Sequence, residues 1–289
     1  MTGRRILPKP FLKWAGGKGQ LVDQIMPHIP ADFGTYFEPF LGGGALFFAL
    51  VRAGRLDWCE RRLSDVNREL IDTYAAVCDR VQDVIDILKM HRYDRDHYLA
   101  VRAISPDNLA PPERAARMVY LNRCGYNGLY RVNSRGEFNV PFGRYNDPVI
   151  CDGANLEAVS LALLGVRLRA CPFEVALAQA REGDLVYLDP PYHQVSETSF
   201  VGYSAAGFSR ADQEAVAVAA HELVGRGVHV ILSNADTPWI RERYSTFRIF
   251  DIRSRRNINS KGGQRGPVGE VLVVGRVRIY AGEGGAAER

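Results

Sequence analysis

The sequence predicts an α/β fold: a mostly parallel β-sheet with helices on its faces, carrying an inserted, mainly helical lobe. Three observations predict it. Short β-type runs alternate with helical patterns, the alternation lapses once in mid-chain, and 289 residues lie at the upper end of what one hydrophobic core supports. The first run, residues 36–40, reads Tyr-Phe-Glu-Pro-Phe and leads through glycines into an apolar helical pattern at 45–53. A second run at 58–64 ends against Asp65, and the apolar spacing from 67 to 90 predicts one long helix. Beyond the gap come runs at 166–170 and 185–188 with a helix at 174–181 between them. The run Leu-Val-Tyr-Leu at 185–188 has the unbroken apolar character of a strand buried on both faces. Helix 210–226, strand 228–233 and helix 238–244 continue the alternation. Runs 248–252 and 271–274 are separated only by the Gly- and Arg-rich stretch 254–269, so they are expected to pair antiparallel at a sheet edge.

Between Tyr93 and Asn155 one helix starting near Pro112 precedes a segment rich in Gly, Asn, Arg and Tyr. A structureless loop of that length is uncommon inside a compact domain. Residues 93–155 are therefore expected to form a lobe with its own small core, with 1–92 and 156–281 as the main domain and 282–289 as a disordered tail. With 46% hydrophobic and 24% charged residues, no stretch approaches the roughly 20 apolar residues of a membrane span. The segment 1–10 is basic and has no apolar stretch of signal-peptide length behind it, so no export is expected. Five widely spaced cysteines without a C-x-x-C pair argue against disulfides and thiolate zinc sites, and fit a reducing cytoplasm. The net charge of +4 is mild, but it is unevenly spread. Residues 114–144 hold six arginines against Glu137 alone, and 241–265 hold eight basic residues against Glu242 and Asp251, so the two stretches are expected to line a groove for a polyanion.

Three motifs carry chemistry. Asp189-Pro190-Pro191-Tyr192 stands directly after the apolar run 185–188, where an open α/β sheet binds its ligands. The prolines fix φ and remove two N–H groups, leaving a rigid turn whose carbonyls point outward as acceptors. A carboxylate and a carbonyl can accept the two N–H protons of an exocyclic amine, and the Tyr192 ring offers a face for a flipped base. The same letters also describe a plain proline-stiffened turn. The second motif, Glu38-Pro39-Phe40-Leu41-Gly42-Gly43-Gly44, lets a ligand approach the backbone at a helix start. Phe47 stands where a dinucleotide fingerprint needs its third glycine, which disfavours a dehydrogenase. Asp65, some twenty residues on, suits the hydroxyls of a ribose or simply caps the next helix. In the third, Phe11-Leu12-Lys13-Trp14-Ala15-Gly16-Gly17-Lys18, Leu12 and Gly19 break the P-loop pattern at both ends, which excludes that phosphate site. Trp14 and Lys18 can supply an aromatic wall and a cation for a ligand with an anionic tail.

In this order, and with Ser64-Asp65-Val66-Asn67 between them, the motifs resemble those of the Dam-type adenine-specific DNA methyltransferases. The likeness runs from Phe11 to about Val274. The segment 122–145, Asn-Arg-Cys-Gly-Tyr-Asn-Gly-Leu-Tyr-Arg-Val-Asn-Ser-Arg-Gly-Glu-Phe-Asn-Val-Pro-Phe-Gly-Arg-Tyr, is similar to the family's DNA-recognition lobe. The resemblance implies a Rossmann-like, seven-stranded domain that binds S-adenosyl-L-methionine, with Trp14, Lys18, Asp65 and Asp189 at the cofactor. Glu38, Pro39, Phe40, Gly42 and Gly44 join them from the reading of the turn, and Asp189 to Tyr192 take the target adenine. Lys13, Tyr126, Asn127, Leu129 and Arg131 match positions that in the family touch or wedge the bases, and Asn139 belongs to the same segment. Arg255 is read as a phosphate contact. Double-stranded DNA is the implied partner. Arg131 and Asn127 resemble readers of a GATC-type site. Methylation of cytosine N4, which usually goes with Ser in place of Asp189, and a non-catalytic DNA-binding module stay open. So do a cognate restriction endonuclease and the oligomeric state.

Overall fold

The computed structural model describes residues 6–14, 16–193, 208–253 and 269–275. Arg255, most of the basic stretch around it and the 282–289 tail lie outside the described residues. In chain order the elements are α1 (Val22–Ile25), β1 (Thr35–Glu38), α2 (Ala45–Arg52), β2 (Glu60–Asp65), α3 (Arg68–Asp79), α4 (Val81–Met90), α5 (Arg95–Ala103), α6 (Pro111–Cys124) and α7 (Gly153–Leu163). There follow β3 (Arg167–Ala170), α8 (Phe173–Leu177), β4 (Leu185–Leu188), α9 (Arg210–Gly225), β5 (His229–Ala235), α10 (Pro238–Arg243), β6 (Arg248–Ile252) and β7 (Glu270–Gly275).

The strands form one seven-stranded sheet in the order β3-β2-β1-β4-β5-β7-β6. All neighbours are parallel except those of β7, which runs antiparallel to both β5 and β6. The last two strands do pair antiparallel as expected, but of the two β7 is interior and only β6 lies at an edge. Strand order reverses between β1 and β4, and that switch point opens a crevice at the carboxyl ends of the strands. β1 and β4 are buried along their whole length, as strands covered on both faces must be.

Three helical features differ from expectation. The stretch 67–90 is two helices, because Arg80 leaves the helical region (φ −137°, ψ 38°). The helices α5 and α7 were not foreseen. Each begins at an aspartate N-cap: Asp94 accepts from the His97 N–H at 2.8 Å, and Asp152 from the Asn155 N–H at 3.2 Å. The inserted segment does not build a core of its own. α6 lies against α3 and α4, and Tyr98, Ala116, Tyr120, Leu121, Phe138 and Val140 share one continuous core with Leu46, Leu70, Tyr74 and Val77. Two helices and a short hairpin offer too little apolar surface to close separately, so they borrow the face of α3.

Candidate active site

β4 ends at Leu188, and the chain turns at once through Asp189, Pro190, Pro191 and Tyr192. Side chains from four elements grip this turn. Asp189 Oδ1 pairs with Lys18 Nζ at 2.7 Å and accepts from Ser233 Oγ of β5 at 2.8 Å. Ser233 also meets the Tyr187 hydroxyl at 3.1 Å. The Asp189 side chain is 17% exposed, so a ligand can reach it. Burial pushes its carboxyl above the usual aspartate range, against the pull of Lys18 and Ser233. The Pro191 carbonyl accepts from Gln213 Nε2 of α9 at 2.6 Å. Gln213 Oε1 accepts from Asn234 Nδ2 at 3.0 Å, and Asn234 Oδ1 accepts from the His193 N–H at 3.0 Å. The Tyr192 hydroxyl donates to Glu270 Oε2 at 2.6 Å, and the Lys18 ammonium stands 4.5 Å from the Tyr192 ring centroid. The expectation that both proline carbonyls point outward is corrected for Pro191. Its carbonyl faces the buried Gln213 amide, which would otherwise be left with an unmatched donor.

The glycine turn after β1 accommodates a side chain as well as any ligand. A Cβ on Gly42 would come within 2.7 Å of Trp14 Cδ1, and Gly42 (φ 48°) and Gly44 (φ 66°) hold left-handed backbone. Trp14 also stacks on Tyr130 of the inserted segment, with centroids 5.4 Å apart. The Lys18 ammonium, expected to be free for an anionic tail, is engaged here by Asp189, by the Tyr192 ring and by the Gly16 carbonyl at 2.6 Å. Asp65 ties the turn to β2, accepting from the Gly42 N–H at 3.0 Å and the Asn67 N–H at 2.9 Å. A carboxylate has about four acceptor positions, so about two remain for hydroxyls. Glu38 is buried and accepts from the Tyr36 hydroxyl at 2.7 Å; burial above all pushes its carboxyl up to about 8. Phe40 packs 5.4 Å from Phe173, and Pro39 lines a groove with Ser64 and Cys171.

The inserted segment is bolted to the Lys13–Trp14 strip by one buried amide. Asn122 accepts from the Lys13 N–H at 2.7 Å and donates to the carbonyls of Lys13 (2.6 Å) and Gly128 (2.9 Å). The Lys13 ammonium stands 4.3 Å from the Tyr145 ring centroid. Next to it, Tyr126 is exposed and Asn127 adopts left-handed backbone (φ 54°). Leu129 is half-buried against the core. Arg131 and Asn139 face each other across a short hairpin, Arg131 Nε donating to Asn139 Oδ1 at 2.7 Å. The basic stretches are less available than their letters suggest. Arg114 pairs with Asp72, Arg117 is buried against Glu69, and Arg123 donates to the Phe11 carbonyl. Arg131, Arg135 and Arg144 are the exposed members of that group. Arg241 is likewise held by Asp236 and Asp251, and Arg243 by Glu214.

Sequence reasoning missed Ser233, Asn234, Gln213, Glu270 and Asn122. The one available signal was Ser233-Asn234 closing the apolar strand β5, two polar residues where the sheet is fully buried. No cysteine stands in the turn, and burial pushes the Cys124 thiol up to about 12, which suppresses its thiolate.

The family model of the D12 class N6 adenine-specific DNA methyltransferases matches residues 14–258. The type II methyltransferase M1.LlaDCHI of Lactococcus lactis subsp. cremoris is 39% identical over 274 residues, spanning 92% of this chain and 94% of its own. The type II methyltransferase M.MjaIII of Methanocaldococcus jannaschii is 36% identical, spanning 89% and 95%. The DNA adenine methylase of Escherichia coli K12 is 35% identical, spanning 92% and 95%. The matched region takes in the glycine turn, the inserted segment and the Asp189–Tyr192 turn together. These likenesses settle the alternatives left open above in favour of an enzyme rather than a silent binding module, and of adenine N6 rather than cytosine N4. The chain belongs to the D12 class of N6 adenine-specific DNA methyltransferases.

Proposed function

We propose that this adenine-specific DNA methyltransferase takes its methyl group from S-adenosyl-L-methionine and gives it to an adenine flipped out of double-stranded DNA, within a GATC-like site. One observation carries the reading: Lys18 and Ser233 both hold Oδ1 of Asp189, so Oδ2 is the oxygen that meets an incoming amine. The N6 lone pair is delocalised into the purine. Asp189 Oδ2 and the Pro190 carbonyl accept its two N–H protons and strengthen those bonds as the nitrogen becomes tetrahedral. Full proton abstraction before attack is unnecessary, because the amine is a very weak acid and sheds its proton more easily once methylated. Tyr192 receives the extruded base on its ring.

The residues around the glycine turn suit the donor. Asp65 keeps acceptor positions for ribose hydroxyls, Phe40 and Phe173 offer an aromatic wall, and Trp14, Lys18, Glu38, Pro39, Gly42 and Gly44 line the approach. When bound, S-adenosyl-L-methionine supplies an electrophilic methyl carbon on a sulfonium. Lys13, Tyr126, Asn127, Leu129, Arg131 and Asn139 are assigned to the DNA, and Arg255 to a phosphate. No helix among the described residues is long and apolar enough to cross a membrane, and the enzyme is assigned to the cytoplasm. Two of the relatives carry type II names, which supports a cognate restriction endonuclease as partner.

Nucleoside mass spectrometry tests the reading. Purified protein, S-adenosyl-L-methionine and unmethylated plasmid should yield N6-methyladenine, and Asp189→Ala should lower the yield at least about 100-fold. Full yield from Asp189→Ala would remove Asp189 from the chemistry. Equal modification of plasmids carrying every single-base variant of GATC would remove the site assignment.

A further inference from the structure

We propose that Glu270 is a positioning residue for the methyl transfer, fixing the plane in which Tyr192 receives the flipped base. The inference rests on the assignment of the Asp189–Tyr192 turn as the adenine site. The Tyr192 hydroxyl donates to Glu270 Oε2 at 2.6 Å. Glu270 opens β7 at the carboxyl edge of the sheet, paired with Ala235 of β5 on one side and Ile252 of β6 on the other. The opposite constraint comes from Lys18, whose ammonium lies 4.5 Å from the ring centroid while also holding Asp189 at 2.7 Å. A phenol held at its hydroxyl by one element and against its face by another keeps one orientation, and the face away from Lys18 is then the platform for a base. A ring tethered only through Cβ would turn about two side-chain torsions, and each turn would carry the base away from Asp189. Glu270 touches neither base nor methyl donor; it acts through Tyr192.

The contact also explains why the motif ends in Tyr rather than Phe here. Stacking needs only a ring, while the hydroxyl serves to hold the ring still. This predicts that Tyr192→Phe and Glu270→Ala have the same defect, and that combining them adds nothing.

The test uses the full-length protein, unmethylated plasmid and labelled S-adenosyl-L-methionine, comparing wild type, Glu270→Ala, Glu270→Gln, Tyr192→Phe, the double variant Glu270→Ala/Tyr192→Phe, and Asp189→Ala. Thermal melting of each variant in parallel reports folding. Glu270→Ala and Tyr192→Phe should each lower single-turnover methylation about tenfold, the worth of one charge-assisted hydrogen bond, with KM for S-adenosyl-L-methionine within about twofold. Glu270→Gln, which still accepts from the hydroxyl, should recover most of the rate, and the double variant should match the single ones. Wild-type rates in Glu270→Ala, or losses that multiply in the double variant, would overturn the inference while leaving the site assignment intact. If Asp189→Ala itself methylates normally, the site assignment fails first. If Glu270→Gln keeps wild-type stability without recovering rate, the carboxylate does something other than hold the Tyr192 hydroxyl, and the inference is wrong.

Discussion

At the scale of single residues, the site is built from carboxyl groups that burial has altered in different ways. Asp189 keeps a buried cation and a hydroxyl on one oxygen. Glu38, deeper in the crevice, has a tyrosine hydroxyl as partner and a carboxyl pushed up to about 8 from an ordinary 4.5. A raised carboxyl means the folded chain holds a proton that the unfolded chain releases. The stability this contributes is complete below about pH 4.5 and is lost as pH rises through 8. Glu38→Gln keeps an acceptor for Tyr36 and has nothing to titrate. Between pH 5 and pH 8 the melting temperature of the wild type should fall by about 5 °C more than that of Glu38→Gln, measured without ligands. Parallel slopes for the two proteins would show that Glu38 is ionised in the folded chain at pH 5. Sequence could point to Glu38, Asp65 and Asp189, because each stands at the carboxyl end of a strand-like run. It could not point to Gln213 or Glu270, since a polar residue that satisfies a buried partner reads the same as one facing water.

At the scale of elements, the inserted segment is held to the sheet domain by a buried ion pair as well as by apolar packing. Arg117 of α6 meets Glu69 of α3 at 3.1 Å, its guanidinium also donates to the carbonyls of Val101 and Arg102, and the Tyr130 hydroxyl shares Glu69 at 3.0 Å. Tyr130 in turn carries Trp14. Removing Arg117 leaves a poorly hydrated carboxylate and takes a donor from the carbonyls of Val101 and Arg102, so Arg117→Ala should lose about 3–5 kcal/mol in urea denaturation. Arg117→Met should lose less than Arg117→Ala once Glu69→Gln accompanies it. A loss under about 1 kcal/mol would mean that α6 is held by apolar contact alone. Here the sequence misled, since Arg114, Arg117 and Arg123 were read as part of a basic patch. Charge density along a chain carries no information on which face of a helix each charge occupies. Nor did α5 announce itself: its composition is largely polar, and its Asp94 cap shows only once the chain is seen to turn there.

For the whole molecule, the consequence is that few cations remain to meet DNA. The net charge is +4, and many arginines are spent inside the fold. Affinity for non-cognate duplex should therefore be weak and readily salted out, leaving discrimination to a small set of contacts. Arg131→Ala should reduce preference for the cognate duplex by about 1–3 kcal/mol at one base position, measured by competition binding across single-base variants. A uniform loss on every duplex, with the salt slope reduced by about one, would make Arg131 a phosphate contact instead. The architecture was largely legible, because the alternation of strands and helices survives even where helix limits do not. The interior place of β7 was hidden, since antiparallel pairing alone does not say which of two partners lies outside.

That interior place has a consequence for how the protein is made. A ribosome adding about 5–20 residues per second delivers β6 before β7. Ile252 and Glu270 are 18 residues apart, so the slot between β5 and β6 waits about 1–4 s for its occupant. Until then two strand edges stand unpaired and Tyr192 has no Glu270 to hold it. A copy interrupted in that interval exposes two open strand edges, the kind of surface that chaperones and proteases engage.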